Sequence, residues 1–335
     1  MMQTSAATTA ATTTTTTTAT SEIKVELRQQ ATTLQYLFHH VDIGIAVVLA
    51  HKLLEHSDVV VFAAAREVHP LENTVELLLR IKTAKDTAEA SRHIANQILH
   101  DVLSSLSVAV VDPSRRQLRI TTGGADVAEW KTPEGNCRPS KGELVLAKAD
   151  HRWGNMVRRA MLTSVPTLAI EDVTLRKNTS VVPDAVLAER IRLLPLRCGD
   201  GRAPTAHDES ACISLCSSSA TDAVKTVTTV TSGELESTLG DVTVALSTGV
   251  HGGFPIVRLA PGQAVDLIVS SRVGTARRHA RFSAVSTVGL FFTENGCHLP
   301  FRSKAQLSPS AIVELTFQAV ASQLADLRAA LIRCQ

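Results

Sequence analysis

Arg277-Arg278-His279-Ala280-Arg281 puts four basic side chains within five residues. A cluster of this kind can hold phosphate, and by itself it points to a free-standing nucleic-acid-binding protein that uses Arg277–Arg281. A second group, Cys198, His207, Cys212 and Cys216, raises a metal site. Zinc takes four nitrogen or sulfur ligands, usually in close pairs. Cys212 and Cys216 make a loose pair, Cys198 and His207 stand apart, and Ile213-Ser214-Leu215 between the pair reads as strand. Ordinary core or loop residues, with no metal and no cofactor, are the expectation. Histidines such as His69, His151 and His279 could serve acid–base chemistry. Yet no glycine-rich phosphate loop, HExxH run, nucleophile elbow or acidic metal triad accompanies them. Asp200, Asp208 and Glu209 lack regular spacing, and His69 before Pro70 reads as a turn residue. The expectation is no catalytic residue and no enzyme activity of the chain's own.

Composition sharpens this. The 335 residues carry 34 Lys and Arg against 32 Asp and Glu, a formal charge of +2. Near-neutrality disfavours strong non-specific binding to DNA or RNA. Aromatics at 3% argue against a base-stacking platform. A hydrophobic fraction of 44% is enough for a real core. No apolar run approaches the ~20 residues of a membrane span. Six Cys without a paired framework suit a reducing, intracellular setting. Residues 1–21 are almost wholly Thr, Ala and Ser, which predicts a disordered tail and not a targeting signal.

The elements that must position these residues follow from periodicity. Glu22–Arg28 alternates as a half-buried strand, Ile43–Leu54 reads as a helix, Val59–Ala63 as a short strand, and Val75–Lys82 as another. Ala90, Ile94, Ile98, Val102 and Leu106 recur every four residues, an amphipathic helix starting near Asp86. Residues 22–106 therefore predict a unit of strand, helix, strand, strand, helix. A connector is expected over 107–116, a strand over 117–121, a loop over 123–141 and a strand over 143–147. A helix follows over 155–164, then a strand over 167–176 and a helix from Pro183 to about Arg192. Arg197–Ser219 changes character. Val242, Val244 and Leu246 alternate beyond it, as do Val265, Leu267 and Val269, and a later strand carries Val288, Leu290 and Phe292. Val313, Phe317, Val320, Leu324, Leu327 and Leu331 are spaced 4, 3, 4, 3, 4, the seam of a long helix packed on a partner helix. The same plan thus occurs twice, with a β-rich insertion in the second half.

Four motifs fall in order along the chain. They are Asn155-Met156-Val157-Arg158-Arg159, Pro166-Thr167-Leu168-Ala169-Ile170, Asn178-Thr179-Ser180-Val181, and Ala188-Glu189-Arg190-Ile191 before Leu194-Pro195-Leu196. This run resembles the signature of the α-type assembly subunits of cellular RNA polymerases: bacterial α, the archaeal D type and the third-largest subunit of polymerase II. Gly274-Thr275-Ala276-Arg277-Arg278-His279-Ala280-Arg281-Phe282 is similar to that family's Gly-x-Ala-Lys-x-His-Ala-Lys-Trp segment, with Phe282 in place of Trp. The first half resembles the smaller partner, the archaeal L type and the eleventh subunit of polymerase II. That likeness rests on Phe62-Ala63-Ala64-Ala65, Val68-His69-Pro70 and the strand Leu77–Thr83. His39-His40-Val41-Asp42-Ile43-Gly44 keeps only a His and a Gly of its His-Thr-Leu-Gly-Asn helix start.

The resemblance implies a fusion of the two partners, small one first, of a kind typical of large DNA viruses. It implies an α+β fold: an intramolecular α-like pseudo-dimer with an inserted β-rich domain. The expected limits are a tail over 1–21, a small-subunit-like domain over 22–106, a linker over 107–116, a large-subunit-like domain over 117–197 and 300–335, and an insertion over 198–299. The implied function is a non-catalytic platform holding the two largest polymerase subunits in register. The implied partners are those two subunits, especially the second-largest, and small subunits resembling the tenth and twelfth of polymerase II, with no template or membrane contact. The partner-facing residues it implies are Asn155, Arg158, Arg159, Arg190, Arg277, Arg278, His279, Arg281 and Phe282. The implied setting is the virion and infected-cell cytoplasm for a viral chain, the nucleus otherwise. Arg158 and Arg159 point about 100° apart on a helix, so one can serve the fold while the other reaches a partner.

Overall fold

Asp42 stands immediately before an almost unbroken apolar run, and its carboxylate accepts a hydrogen bond from the Gly44 backbone N–H at 2.8 Å. This cap starts a helix at Ile43–Leu54, the bounds the sequence predicts. The helix is apolar nearly all round because it is buried nearly all round, with Ile45, Val48, Leu49 and Leu53 in the core. The computed structural model describes residues 23, 25–30, 33–56, 59–69, 74–81, 88–112, 116–121, 141–199, 201–218, 227–239, 242–245, 253–294 and 296–333. The Thr/Ala-rich tail, the loop expected over 123–140, the helix start near Asp86, and Asp200 and Leu246 lie outside the described residues.

The first half runs β1 (Val25–Gln30), β2 (Thr33–Phe38), α1 (Ile43–Leu54), β3 (Val60–His69), β4 (Thr74–Ile81) and α2 (Ala88–Val111). Its antiparallel sheet has the order β1-β2-β4-β3. β2 is a strand the sequence reading passes over, although Leu34, Tyr36 and Phe38 alternate as its buried face. It forms a hairpin with β1, Gln30 opposite Thr33. The Tyr36 hydroxyl donates to Asn96 Oδ1 on α2 at 2.7 Å, so a wholly buried ring keeps its polar tip satisfied. α2 also corrects the expected connector. It continues through Val111 because Val110, four residues after Leu106, stays in the core.

The second half begins with β5 (Arg116–Thr121), β6 (Lys141–Ala147) and α3 (His151–Thr163). α3 starts four residues before the expected Asn155, because the Asp150 side chain accepts from the Trp153 N–H and caps it there. Then come β7 (Thr167–Asn178), α4 (Asp184–Arg192), β8 (Leu196–Cys198), β9 (Cys212–Ser218), β10 (Thr228–Thr231), β11 (Glu236–Ser237), β12 (Val242–Val244), β13 (Pro255–Leu259) and β14 (Ala264–Gly274). The chain returns through β15 (Val285–Val288), β16 (Phe291–Thr293) and β17 (Gly296–Ser303) to α5 (Pro309–Arg333). The single strand expected over Val288–Phe292 is thus two, split at Gly289, whose N–H donates to the Pro300 carbonyl.

The sheet β15-β17-β6-β5 repeats the order of the first sheet: first strand at one edge, third at the other, second and fourth between. Both halves read strand, strand, helix, strand, strand, helix, with β16 as an addition along β17. The helices pack between the sheets, α1 against α3 and α2 against α5. Val313, Phe317, Val320, Leu324, Leu327 and Leu331 are all buried on α5, as their spacing predicts. On α2 the buried stripe is Ala95, Leu99, Val102, Leu103 and Leu106. Ile94 and Ile98 flank it half-buried, because the helix turns its stripe one residue round from the expected set.

A second core gathers Leu168, Ile170, Leu187, Ile191, Ile213, Leu215, Val265, Leu267 and Val269. It is built on the sheet β11-β9-β14-β7. Leu299 and Phe301, by contrast, belong to the first core with both halves' helices. Residues 168–196 join the second core, and β15–β17 join the first. The reason is non-local: β7 pairs along nearly all its length with β14, about a hundred residues later. Likewise β17 pairs with β6, about 150 residues earlier.

Candidate functional site

Asn155 and Arg158 lie one turn apart, and Arg158 Nε and Nη2 donate to Asn155 Oδ1 at 3.3 and 3.0 Å. Arg159 turns the other way, into the fold. Its Nε and Nη2 donate to Asp42 Oδ1 and Oδ2 at 3.1 and 3.4 Å. Arg277 Nη2 donates to the same Oδ2 at 3.4 Å. Asp42 is buried and held by three donors from two halves: the Gly44 N–H, Arg159 and Arg277. Burial pulls the Arg277 guanidinium below its usual range, the Asp42 carboxylate opposes that, and neighbouring Arg159 adds to it. The Gly44 position is close-set too: a Cβ there would sit 2.9 Å from Asp42 Oδ1 and 3.1 Å from the Met156 Cα. α1 and α3 can meet this closely only because the side chain is missing.

The rest of the basic segment is tied down on β7. Arg278 Nη2 donates to Glu171 Oε1 at 2.8 Å, and Arg281 Nη1 to the Ile170 carbonyl at 3.0 Å. His279 Nδ1 accepts from the Arg281 N–H at 3.2 Å, and the His279 ring is exposed. Phe282, implied as a partner contact, is fully buried. Its ring fills the space a Gly274 side chain would occupy, and its carbonyl accepts from Thr167 Oγ1 at 2.6 Å. Phe282 is thus a plug joining β7 to β14, and Arg159 and Arg277 are inward ion-pair residues. Arg190 is exposed along its length, with Nη1 donating to the Ile256 carbonyl at 3.2 Å. A free phosphate site over Arg277–Arg281 is not what this geometry offers, because three of the four basic side chains already hold protein acceptors.

Cys198 is buried on β8, and Cys212 and Cys216 lie four residues apart along β9. Among the described residues no three His, Cys, Asp or Glu side chains gather as metal ligands. No described helix is long and apolar enough to cross a membrane.

Sequence reasoning missed a cleft beside Asn155. It has a volume of about 820 Å³ and is lined by Gly44 and Val47 of α1, Arg152 and Asn155 of α3, and Leu290 and Phe292. Phe292 in its wall and the neighbouring Phe291 are 56% and 62% exposed. The signal for it was a Phe-Phe pair in a chain poor in aromatics.

Among curated proteins, the chain is similar to subunits of DNA-directed RNA polymerases. The relatives are polymerase subunit 3. The chain is 34% identical to subunit Rpo3 of Pyrobaculum aerophilum over 140 residues, 39% of this chain and 51% of that protein. It is 30% identical to Rpo3 of Thermococcus kodakarensis over 152 residues, 43% of this chain and 53% of that one. It is 29% identical to subunit 3 of RNA polymerases II, IV and V of Arabidopsis thaliana over 168 residues, 44% and 52% respectively. The chain spans about half the length of the curated relatives it matches. No family model matches it.

Proposed function

We propose that this chain is a non-catalytic assembly platform of a DNA-directed RNA polymerase, holding the two largest subunits in register. The observation that carries the reading is the repeated topology: two sheets of equal strand order face each other across α1, α2, α3 and α5. Similarity to polymerase subunit 3 over about 40% of the chain supports the same reading. In this reading the chain is a fusion, the first half standing for a small partner and the second for the larger one. The two form an intramolecular pseudo-dimer, and the unit around the second core is an insertion between α3 and β15. Fusion turns the docking of the halves into an intramolecular step at high effective concentration. The exposed side of α3, with Asn155 and Arg158, faces the second-largest subunit. Small subunits like the tenth and twelfth of polymerase II complete the assembly.

Affinity purification from the native source is the test. Recovery of the two largest polymerase subunits in equal amounts with the chain is the expected result. Recovery as a lone monomer that binds DNA tightly would refute the proposal and favour the nucleic-acid reading.

A further inference from the structure

We propose that the cleft between α1, the start of α3 and β16 is a socket for an apolar side chain flanked by a carboxylate. Its bearer is a segment of the large polymerase subunit that the platform reading assigns to this face, and the inference rests on that reading.

Three independent observations carry it. First, the socket belongs to neither half alone. Gly44 and Val47 come from the first half, Arg152, Asn155, Leu290 and Phe292 from the second. A segment seated here touches both halves at once.

Second, β16 is unshielded on both faces. Neighbouring residues of a strand point to opposite sides, so one of two adjacent phenylalanines is ordinarily covered. Here Phe291, Phe292 and Thr293 are all exposed, because β16 lies at the sheet edge and pairs only with β17 among the described strands. The Phe292 ring is not loose: the His151 ring meets it edge-on, 6.3 Å between centroids, and holds it over the cleft. Large apolar rings left bare at a sheet edge invite pairing or covering, which native proteins normally prevent.

Third, the arginines of the cleft and of the matched motifs are unevenly satisfied. Arg152 pairs with Asp150 at 3.2 Å, Arg159 and Arg277 with Asp42, and Arg278 with Glu171. Among the described residues, Arg158, one turn beyond the cleft wall, has only the neutral amide oxygen of Asn155. A carboxylate on the incoming segment would complete it in the bidentate manner guanidinium favours. Phosphate is the poorer fit, because a nucleic-acid backbone would lay a row of charges along an apolar rim.

The full chain is co-expressed with the two largest polymerase subunits of the same genome, carrying a photo-crosslinking phenylalanine analogue at Val47 or at Phe292. Both positions are expected to crosslink to the same large subunit. Phe292→Ser and Arg158→Glu are each expected to lower affinity for that subunit by about tenfold or more while thermal melting of the free chain stays unchanged. If the complex forms but neither position crosslinks, or both crosslink to a second copy of this chain, the socket is refuted and the platform reading stands. Unchanged affinity in both variants refutes it as well. If no complex with either large subunit forms, the platform reading falls, and the socket with it.

Discussion

Asp42 and Arg159, 117 residues apart in sequence, meet in a two-pronged ion pair that fixes the first helix of one half to the first helix of the other. Removing one partner of a buried pair costs about 3–5 kcal/mol, because the other charge is left without compensation. Arg159 keeps some solvent contact, so Asp42→Ala is expected to destabilise the chain by about 2–4 kcal/mol, part of it from the lost helix cap. Asp42→Asn, which can still cap α1, should cost less. Urea melts of both variants, and a double-mutant cycle with Arg159→Met, measure the two parts. A coupling energy near zero would show that the pair does not bind the halves together.

The α2–α5 seam gives a second expectation. Leu324→Ala and Leu327→Ala remove wholly buried side chains and should each cost about 2–5 kcal/mol. Ile94→Ala, at the half-buried border of the α2 stripe, should cost clearly less. Leu324→Asp with Leu327→Asp should unfold or separate the halves, visible as loss of the cooperative thermal transition.

Asp208 sets an acid limit for the second core. The Arg202 guanidinium beside it, joined by two 2.8 Å hydrogen bonds, holds its carboxyl well below the usual carboxylate range against the opposing effect of burial. A carboxylate with a depressed folded pKa stabilises fully above its unfolded value of ~3.9, and that contribution fades as pH falls toward the folded value. Stability should therefore drop as pH is lowered from about 5 toward 2. Arg202→Met should flatten this slope and lower stability at neutral pH. Denaturant titrations across that range read both.

Tyr36 is the sole tyrosine, which makes it a clean reporter. Burial raises its hydroxyl pKa well above the ordinary ~10, with Arg92 acting weakly the other way. Ultraviolet titration of the folded chain should show no phenolate near pH ~11, and the signal should emerge only with unfolding. Tyr36→Phe leaves Asn96 Oδ1 without its 2.7 Å donor and should cost about 1–2 kcal/mol.

Local features were legible in the sequence. The bounds of α1 follow from a capping Asp42 and an apolar run, and the α5 seam from its spacing, because helix caps and helix periodicity are carried by neighbours in sequence. What was missed depends on distant partners. β2 carries its alternation in only six residues, directly before two histidines. The assignment of β7 to the second core depends on β14. Nothing in the sequence neighbourhood of Arg159 and Arg277 points to Asp42. The space Phe282 fills likewise exists only where Gly274 passes over it.

The repeated plan also governs timing. α2 buries its stripe against α5, and about 200 residues separate the end of one helix from the start of the other. At ~5–20 residues per second, a ribosome takes about 10–40 s to make that stretch. For that interval the first half waits with its apolar helix uncovered. The α2 stripe is covered only once α5 has been synthesised.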